Sequence, residues 1–146
     1  MFEKIIVATD GSDTSLNAAI SGIGIAKLCG SKVIAVYVAD VIRLAYLSSC
    51  GEFSDGIRKC LQQEGEKAIK KVSKLAKNEG VLCEEVIVEG DPATELIRIS
   101  QEDDAVLLVI GSIGRSGLKS ILLGSVAEKL VRNSKVPVLI VPHERP

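Results

Sequence analysis

Residues 105–112 read Ala105-Val-Leu-Leu-Val-Ile-Gly-Ser112, an apolar run that stops at a glycine and a serine. A run that is continuous rather than alternating describes a strand buried on both faces, as in a parallel sheet covered by helices. Four other segments read as strands at regular intervals: Ile5 to Ala8, Val33 to Val38, Val86 to Val88 and Val136 to Val141. Helical patterns fill the gaps between them. The first places Leu16, Ala19, Ile20, Ile23 and Ala26 on one stripe and stops at Gly30. The second runs from about Glu52 to Asn78, with Ile57, Leu61, Ala68, Val72 and Leu75 inward and Gly80 as its C-terminal signal. The third opens at Asp91-Pro92, an N-cap followed by proline at the first helical position. The fourth begins near Ser125, where Ser125-Val-Ala-Glu128 has the capping-box form. Asp40 to Gly51 reads as the longest irregular piece, a mobile loop.

The alternation of strand and helix predicts an α/β fold: an open, doubly wound sheet of five parallel strands, in the order 3-2-1-4-5, with helices on both faces. At 146 residues the chain is one domain, residues 1–146. Pro137 at the start of the last strand suits an edge position. An apolar edge from Val136 to Val141 needs covering, and self-pairing across a two-fold axis would cover it.

Composition narrows the function classes. Aromatic residues are only 3%, which argues against surfaces that stack nucleic-acid bases. Eighteen Lys and Arg against nineteen Asp and Glu give a net charge of −1, so no global field seeks nucleic acid or anionic membrane. Neither a membrane-spanning run nor an apolar leader segment is present, and the expected compartment is the cytoplasm. Cys29, Cys50, Cys60 and Cys83 form no C-x-x-C pair, so reduced thiols are expected, with a Cys50–Cys60 bridge as the alternative. The single histidine, His143, reads as a solvated tail residue, and no metal site is expected.

In such sheets ligands bind beyond the carboxyl ends of the strands, where the strand order reverses. The first and fourth strands would meet there. Thr9-Asp10-Gly11-Ser12-Asp13 would then face the segment Gly111-Ser-Ile-Gly114-Arg-Ser-Gly117-Leu-Lys119-Ser-Ile-Leu-Leu-Gly124-Ser125. Its glycines let a backbone approach a ligand and permit positive φ. Gly124 and Ser125 lead into a helix N-terminus that favours an anion, and Arg115 and Lys119 add charge. Against this stands the reading that the glycines are turns and Ser125 only caps its own helix with Glu128. Asp10 has the position to accept from a ribose hydroxyl or an adenine amine, whereas Asp13 reads as a helix cap. Other signatures fail. Lys119-Ser120 follows Leu118 rather than the glycine of a phosphate-binding loop, Gly22-Ile-Gly24 lies inside a helix, and no G-x-S-x-G elbow is present.

The spacing from Gly111 through Gly114 to Gly124-Ser125 follows the pattern G-x2-G-x9-G-[ST]. With Ile5-Ile-Val-Ala-Thr-Asp-Gly-Ser12, Gly90-Asp-Pro92 and Val136-Pro-Val-Leu-Ile-Val-Pro142, it resembles the nucleotide-binding branch of the universal stress protein family over essentially the whole chain. The resemblance implies a Rossmann-like domain binding ATP, with Gly111 and Gly114 against ribose and α-phosphate. Gly124, Ser125 and Val126 would meet the outer phosphates. Ala8, Thr9 and Asp10 would flank adenine and ribose, and Val38 would offer backbone groups to the adenine edge. Arg115 counts among the binding residues by its charge. Mg²⁺ would be held mainly by the phosphates, and a homodimer would form through the last strand. Ile113 departs from members with a polar residue there. The expected function is an ATP-binding stress-response or regulatory protein with at most slow hydrolysis, since no base for water is evident. The alternatives are an adenylating enzyme, for which Thr9-Asp-Gly-Ser-Asp-Thr14 is a poor pyrophosphate loop, and a nucleotide-free dimeric interaction module.

Overall fold

The computed structural model describes residues 3–47, 55–114 and 123–143. In chain order the elements are β1 (Lys4–Ala8), α1 (Asp13–Cys29), β2 (Lys32–Ala39), α2 (Val41–Leu47) and α3 (Asp55–Asn78), then β3 (Cys83–Glu89), α4 (Pro92–Glu102), β4 (Leu107–Gly111), α5 (Ser125–Asn133) and β5 (Val138–Val141). The strands form one parallel sheet in the order β3-β2-β1-β4-β5, the topology expected from the apolar runs.

Side chains of a strand alternate between faces, so a continuous apolar strand feeds two cores. Ile5, Val7, Val33, Ala35 and Val109 pack with Ala19 and Ile23 of α1 and with Ile69 and Val72 of α3. On the other face Ile6, Ile34, Val36 and Leu108 pack with Leu96 and Ile99 of α4 and with Leu130 of α5. Ile6, Leu108 and Leu130 are fully buried. Each such side chain contributes about 1.5–3 kcal/mol of transfer free energy.

Three local expectations need correction. Ile20 is 53% exposed, and the buried face of α1 runs instead through Ala18, Ala19, Gly22, Ile23 and Ala26. The helix rotates this way because Gly22 lies on β1: a Cβ there would come within 2.7 Å of Val7 Cγ2. Second, residues 41–47 are helical rather than irregular, and Asp40 starts that turn by accepting the Arg43 N–H at 3.1 Å. Third, β3 extends from Cys83 to Glu89, so the charged residues Glu84 and Glu85 belong to the strand. Cys29, Cys60 and Cys83 are free thiols, while Cys50 lies outside the described residues.

The Asp91-Pro92 start of α4 is as expected. The Asp91 carboxylate accepts from Thr94 N–H at 3.0 Å and from the Thr94 hydroxyl at 2.8 Å. Partial burial pushes its pKa up, but the two Thr94 bonds and nearby Lys129 outweigh that and hold it below the ordinary value of 3.8. A depressed carboxylate pKa stabilises the fold above the unfolded value, and that contribution is lost as pH falls through the folded one. Asp91→Ala is therefore expected to lower unfolding free energy by about 1 kcal/mol at neutral pH. The gap should narrow as the solution is taken below pH 3.8, which urea titrations at neutral and acid pH would read.

Candidate nucleotide site at the carboxyl edge of the sheet

At the reversal point β1 lies between β2 and β4, and their carboxyl ends open into a cleft of about 730 Å³. That volume falls within the range typical of small-molecule sites, about 300–1,000 Å³. Ala8 lines it from the last residue of β1, Thr9 and Asp10 from the segment after it, and Val38 from β2. Gly111 and Gly114 come from the end of β4, and Gly124, Ser125 and Val126 from the start of α5. The fold thus gathers nine of the ten candidate residues around one space. Arg115, like Lys119, lies outside the described residues.

The segment after β1 is built from hydroxyl groups. Thr9 continues the ladder, its N–H reaching Val36 O at 2.9 Å. Its buried Oγ1 accepts from Gly11 N–H at 3.2 Å and lies 3.1 Å from Ser15 Oγ. The Ser15 hydroxyl donates to Ser12 O at 2.8 Å, so Thr9 is the donor in the Thr9–Ser15 pair. Gly11 turns the chain with φ of 85°. Asp10 Oδ1 accepts Ser12 N–H at 2.9 Å, and Ser12 in turn caps α1 by accepting Ser15 N–H at 3.2 Å. Asp13 is therefore the first helical residue rather than the cap.

The register explains Val38. Val36 directs its backbone toward β1, where its carbonyl receives the Thr9 N–H. Two residues on, the N–H and C=O of Val38 point the same way, but β1 ended at Ala8. Those groups open onto the cleft, while the Val38 side chain packs toward α4.

Of the two uses expected of the loop glycines, positive φ is not seen at the described ones, since Gly111, Gly114 and Gly124 are absent from the positive-φ residues. Close approach is the reason they are glycine. A Cβ on Gly124 would stand 3.2 Å from Ser112 O and 3.3 Å from Ile113 Cα, both backbone atoms. One on Gly114 would stand 2.9 Å from Asp10 Oδ2. One on Gly111 would meet Thr14 Cγ2 at 2.8 Å, so that glycine seats α1 on β4. The Gly124 N–H donates to Ser112 O, which closes the ends of the loop on each other. Ile113 is buried and forms part of the cleft wall.

The capping box is not formed. Gly124 is the N-cap of α5 and supplies no side-chain bond, while Ser125 is the first helical residue and exposed. Three other helices that begin at this edge are closed by a side chain: Ser12 for α1, Asp40 for α2 and Asp91 for α4. The first turn of α5 borders the cleft without such a cap, which leaves its dipole and N–H groups available to an anion.

Sequence reading missed part of the wall. Tyr37, Asp40, Arg43, Cys60, Glu64 and Leu96 also border the cleft. The Tyr37 ring is buried against Gly65 of α3. An Asp directly after a strand and three residues before Arg43 was the available signal for α2 and its cap. Among the described residues no three His, Cys, Asp or Glu side chains gather as metal ligands.

The sequence pattern of the universal stress protein family matches residues 1–142. Universal stress protein MJ0531 of Methanocaldococcus jannaschii is 43% identical over 141 residues, covering 97% of this chain and 82% of its own. YxiE of Bacillus subtilis, another universal stress protein, is 35% identical over 147 residues, covering 97% and 99%. Among solved structures, that of hypothetical protein MJ0577 from M. jannaschii superposes with a TM-score of 0.87 at 29% identity, covering 100% of this chain and 99% of its own. A universal stress protein in complex with cAMP superposes with a TM-score of 0.74 at 30% identity, covering 98% of each chain.

Proposed function

The chain belongs to the universal stress protein family, and from that premise we propose that its cleft binds ATP and that the protein acts as a regulator in stress response. The observation that carries this reading is the pairing of two unlike ends in one cleft. At one end the backbone of Val38 opens beside the apolar side chains of Val36 and Leu96. That combination suits an adenine, whose faces are apolar and whose edge reads donor and acceptor. At the other end lie Gly114, Gly124 and the first turn of α5, a donor-rich surface without a side-chain cap. Asp10 stands between the two and suits a ribose hydroxyl. The cAMP complex of a relative with 30% identity supports an adenine nucleotide as the ligand class.

The donor set fits a triphosphate and gives a metal little to hold, so Mg²⁺ would travel with ATP on its phosphates. Hydrolysis is expected to be slow at most. Asp10 Oδ1 is already engaged by Ser12 N–H, and Asp13 is exposed on the first turn of α1. Ser12 is committed as the α1 cap, which also disfavours an adenylating role for this segment.

A homodimer through β5 belongs to the same proposal. The two sheet edges differ in kind. β3 carries Glu84, Glu85 and Glu89, engaged by Lys32, Ser73 and Arg58 respectively. Such charges blunt an edge against further pairing. β5 reads Val-Leu-Ile-Val, is only half-buried, and has no charge of its own. No helix among the described residues is long and apolar enough to cross a membrane, and a cytoplasmic place is the proposed one.

Titration calorimetry of the intact protein with ATP, AMP and NAD tests the assignment. ATP should release or absorb heat with saturation at one site per chain. Absence of heat and of thermal shift for every nucleotide would sink it in favour of an interaction module.

A further inference from the structure

His143 follows β5, 129 residues beyond Thr14 of α1, and was expected to be a solvated tail. It is instead half-buried and joined to two buried hydroxyl residues, Thr14 at the start of α1 and Ser112, which lines the cleft. Its ring Nδ1 shares a hydrogen bond of 2.9 Å with Thr14 Oγ1. Its backbone N–H donates to Ser112 Oγ at 3.1 Å. Thr14 is 5% exposed and Ser112 6%.

Both partners hold the glycine loop. Thr14 is the residue against which Gly111 is packed, with no room for a Cβ between them. Ser112 lines the cleft, and its N–H, carbonyl and hydroxyl are all engaged. Its N–H donates to Val141 O at 2.8 Å, its carbonyl receives the Gly124 N–H, and its hydroxyl receives the His143 N–H. The position of Gly124, and through it the first turn of α5, is therefore referred back to His143. The Val38 end of the cleft lies outside this chain of contacts, because it is held by the β2 and β3 ladder.

We propose that His143 is a positioning residue for the phosphate half of the cleft, acting through Ser112 and Thr14 on the placement of Gly124 and the α5 N-terminus. The inference rests on the nucleotide reading given above. It makes the chain beyond β5 part of the binding apparatus without touching the ligand. Because the ring is tied to Thr14 by one hydrogen bond, its removal is expected to shift phosphate affinity moderately rather than abolish it.

The test compares ATP with adenosine, which shares the base and ribose and lacks the phosphates. In His143→Ala, ATP binding should weaken by about fivefold to tenfold, the loss typical of one hydrogen bond. Adenosine binding should stay within about twofold, since a local effect on the loop leaves the Val38 end intact. His143→Gln keeps a side chain able to bond Thr14 and should recover most of the ATP affinity. Thr14→Val, which keeps the shape that seats Gly111, should reproduce the His143→Ala pattern. Melting curves of each variant establish that the fold persists. Equal loss for ATP and adenosine would overturn the proposal, because it would mean general loosening. Unchanged ATP affinity in a folded His143→Ala protein would overturn it too. If the unaltered protein binds neither ligand, the nucleotide reading fails and the positioning role falls with it.

Discussion

Replacing Gly114 and Gly124 together by valine is expected to abolish ATP binding while leaving the sheet and the β5 edge intact. At Gly124 the new Cβ would press on Ser112 O and Ile113 Cα at 3.2 and 3.3 Å. Those are main-chain atoms at the end of β4, so they cannot swing aside as a side chain would. The first turn of α5 must move out of the cleft instead. At Gly114 the Cβ would lie 2.9 Å from Asp10 Oδ2, and the branched methyls would project into the same small space. Asp10 would be driven from its place beside Ser12 N–H, or the loop would retreat. Either movement separates surfaces that must grip one ligand together. The expected loss is at least about 100-fold, the equivalent of roughly 2.7 kcal/mol. Overpacking also costs about 1–3 kcal/mol of stability, which a folded domain can bear. Calorimetry with ATP and a melting curve read the two effects separately. ATP affinity within a few-fold of the unaltered protein would show that the loop is structural only.

Ending the chain after Lys135 is expected to have the larger effect on stability. The cut removes β5 with its ladder to Leu108, Val109, Ile110 and Gly111. It strips Leu139 and Val141 from the core beneath α1, and Val136 and Val138 from the core beneath α5. It also removes both His143 contacts and leaves β4 as a bare edge. Several apolar side chains at about 1.5–3 kcal/mol each exceed the 5–15 kcal/mol that holds a domain together, once their hydrogen bonds are lost as well. The expected product shows no cooperative melting transition. A milder companion, Ile140→Lys, places a charge on the strand without emptying the core clusters, to which Ile140 does not belong. It should keep the fold and convert the proposed dimer to a monomer in sedimentation experiments. A folded, fully dimeric Ile140→Lys protein would place the subunit contact elsewhere.

The parts of this fold that were legible in the sequence are those decided by burial on two faces. Ile5 to Ala8 and Val109 show it best: consecutive residues enter opposite cores, so the pattern cannot be mistaken for a half-exposed strand. The reading of α1 was less sharp, because a helical stripe fixes the face only to within a neighbouring row. Ile20 fits the period as well as Ala18 does, and the contact of Gly22 with Val7 decides between them. α2 escaped detection since seven residues following a strand directly give too short a run for a period.

Within the site, the glycine spacing identified the right segments for an incomplete reason. Positive φ and close approach to a ligand were the expected uses of the loop glycines, yet Gly124 is needed for a close main-chain contact within the protein, with Ser112 and Ile113. Ser125 was misplaced by one residue because Ser-x-x-Glu fits the capping pattern in sequence, whereas the extended residue is Gly124, with φ of −70° and ψ of 163°. His143 was beyond reach of any local reading. Its partners Thr14 and Ser112 stand 129 and 31 residues earlier, and only the closed sheet brings the three together.

The cleft is bordered by residues from Ala8 to Ala127, drawn from both ends of the chain and from either side of its reversal point. No fragment of the protein holds enough of that border to bind a ligand in the unfolded state. Occupancy therefore adds wholly to folding stability, by about 2.7 kcal/mol when free ligand stands at 100 times its dissociation constant. With ATP as that ligand, the resistance of this chain to unfolding and proteolysis rises and falls with the energy charge of its surroundings.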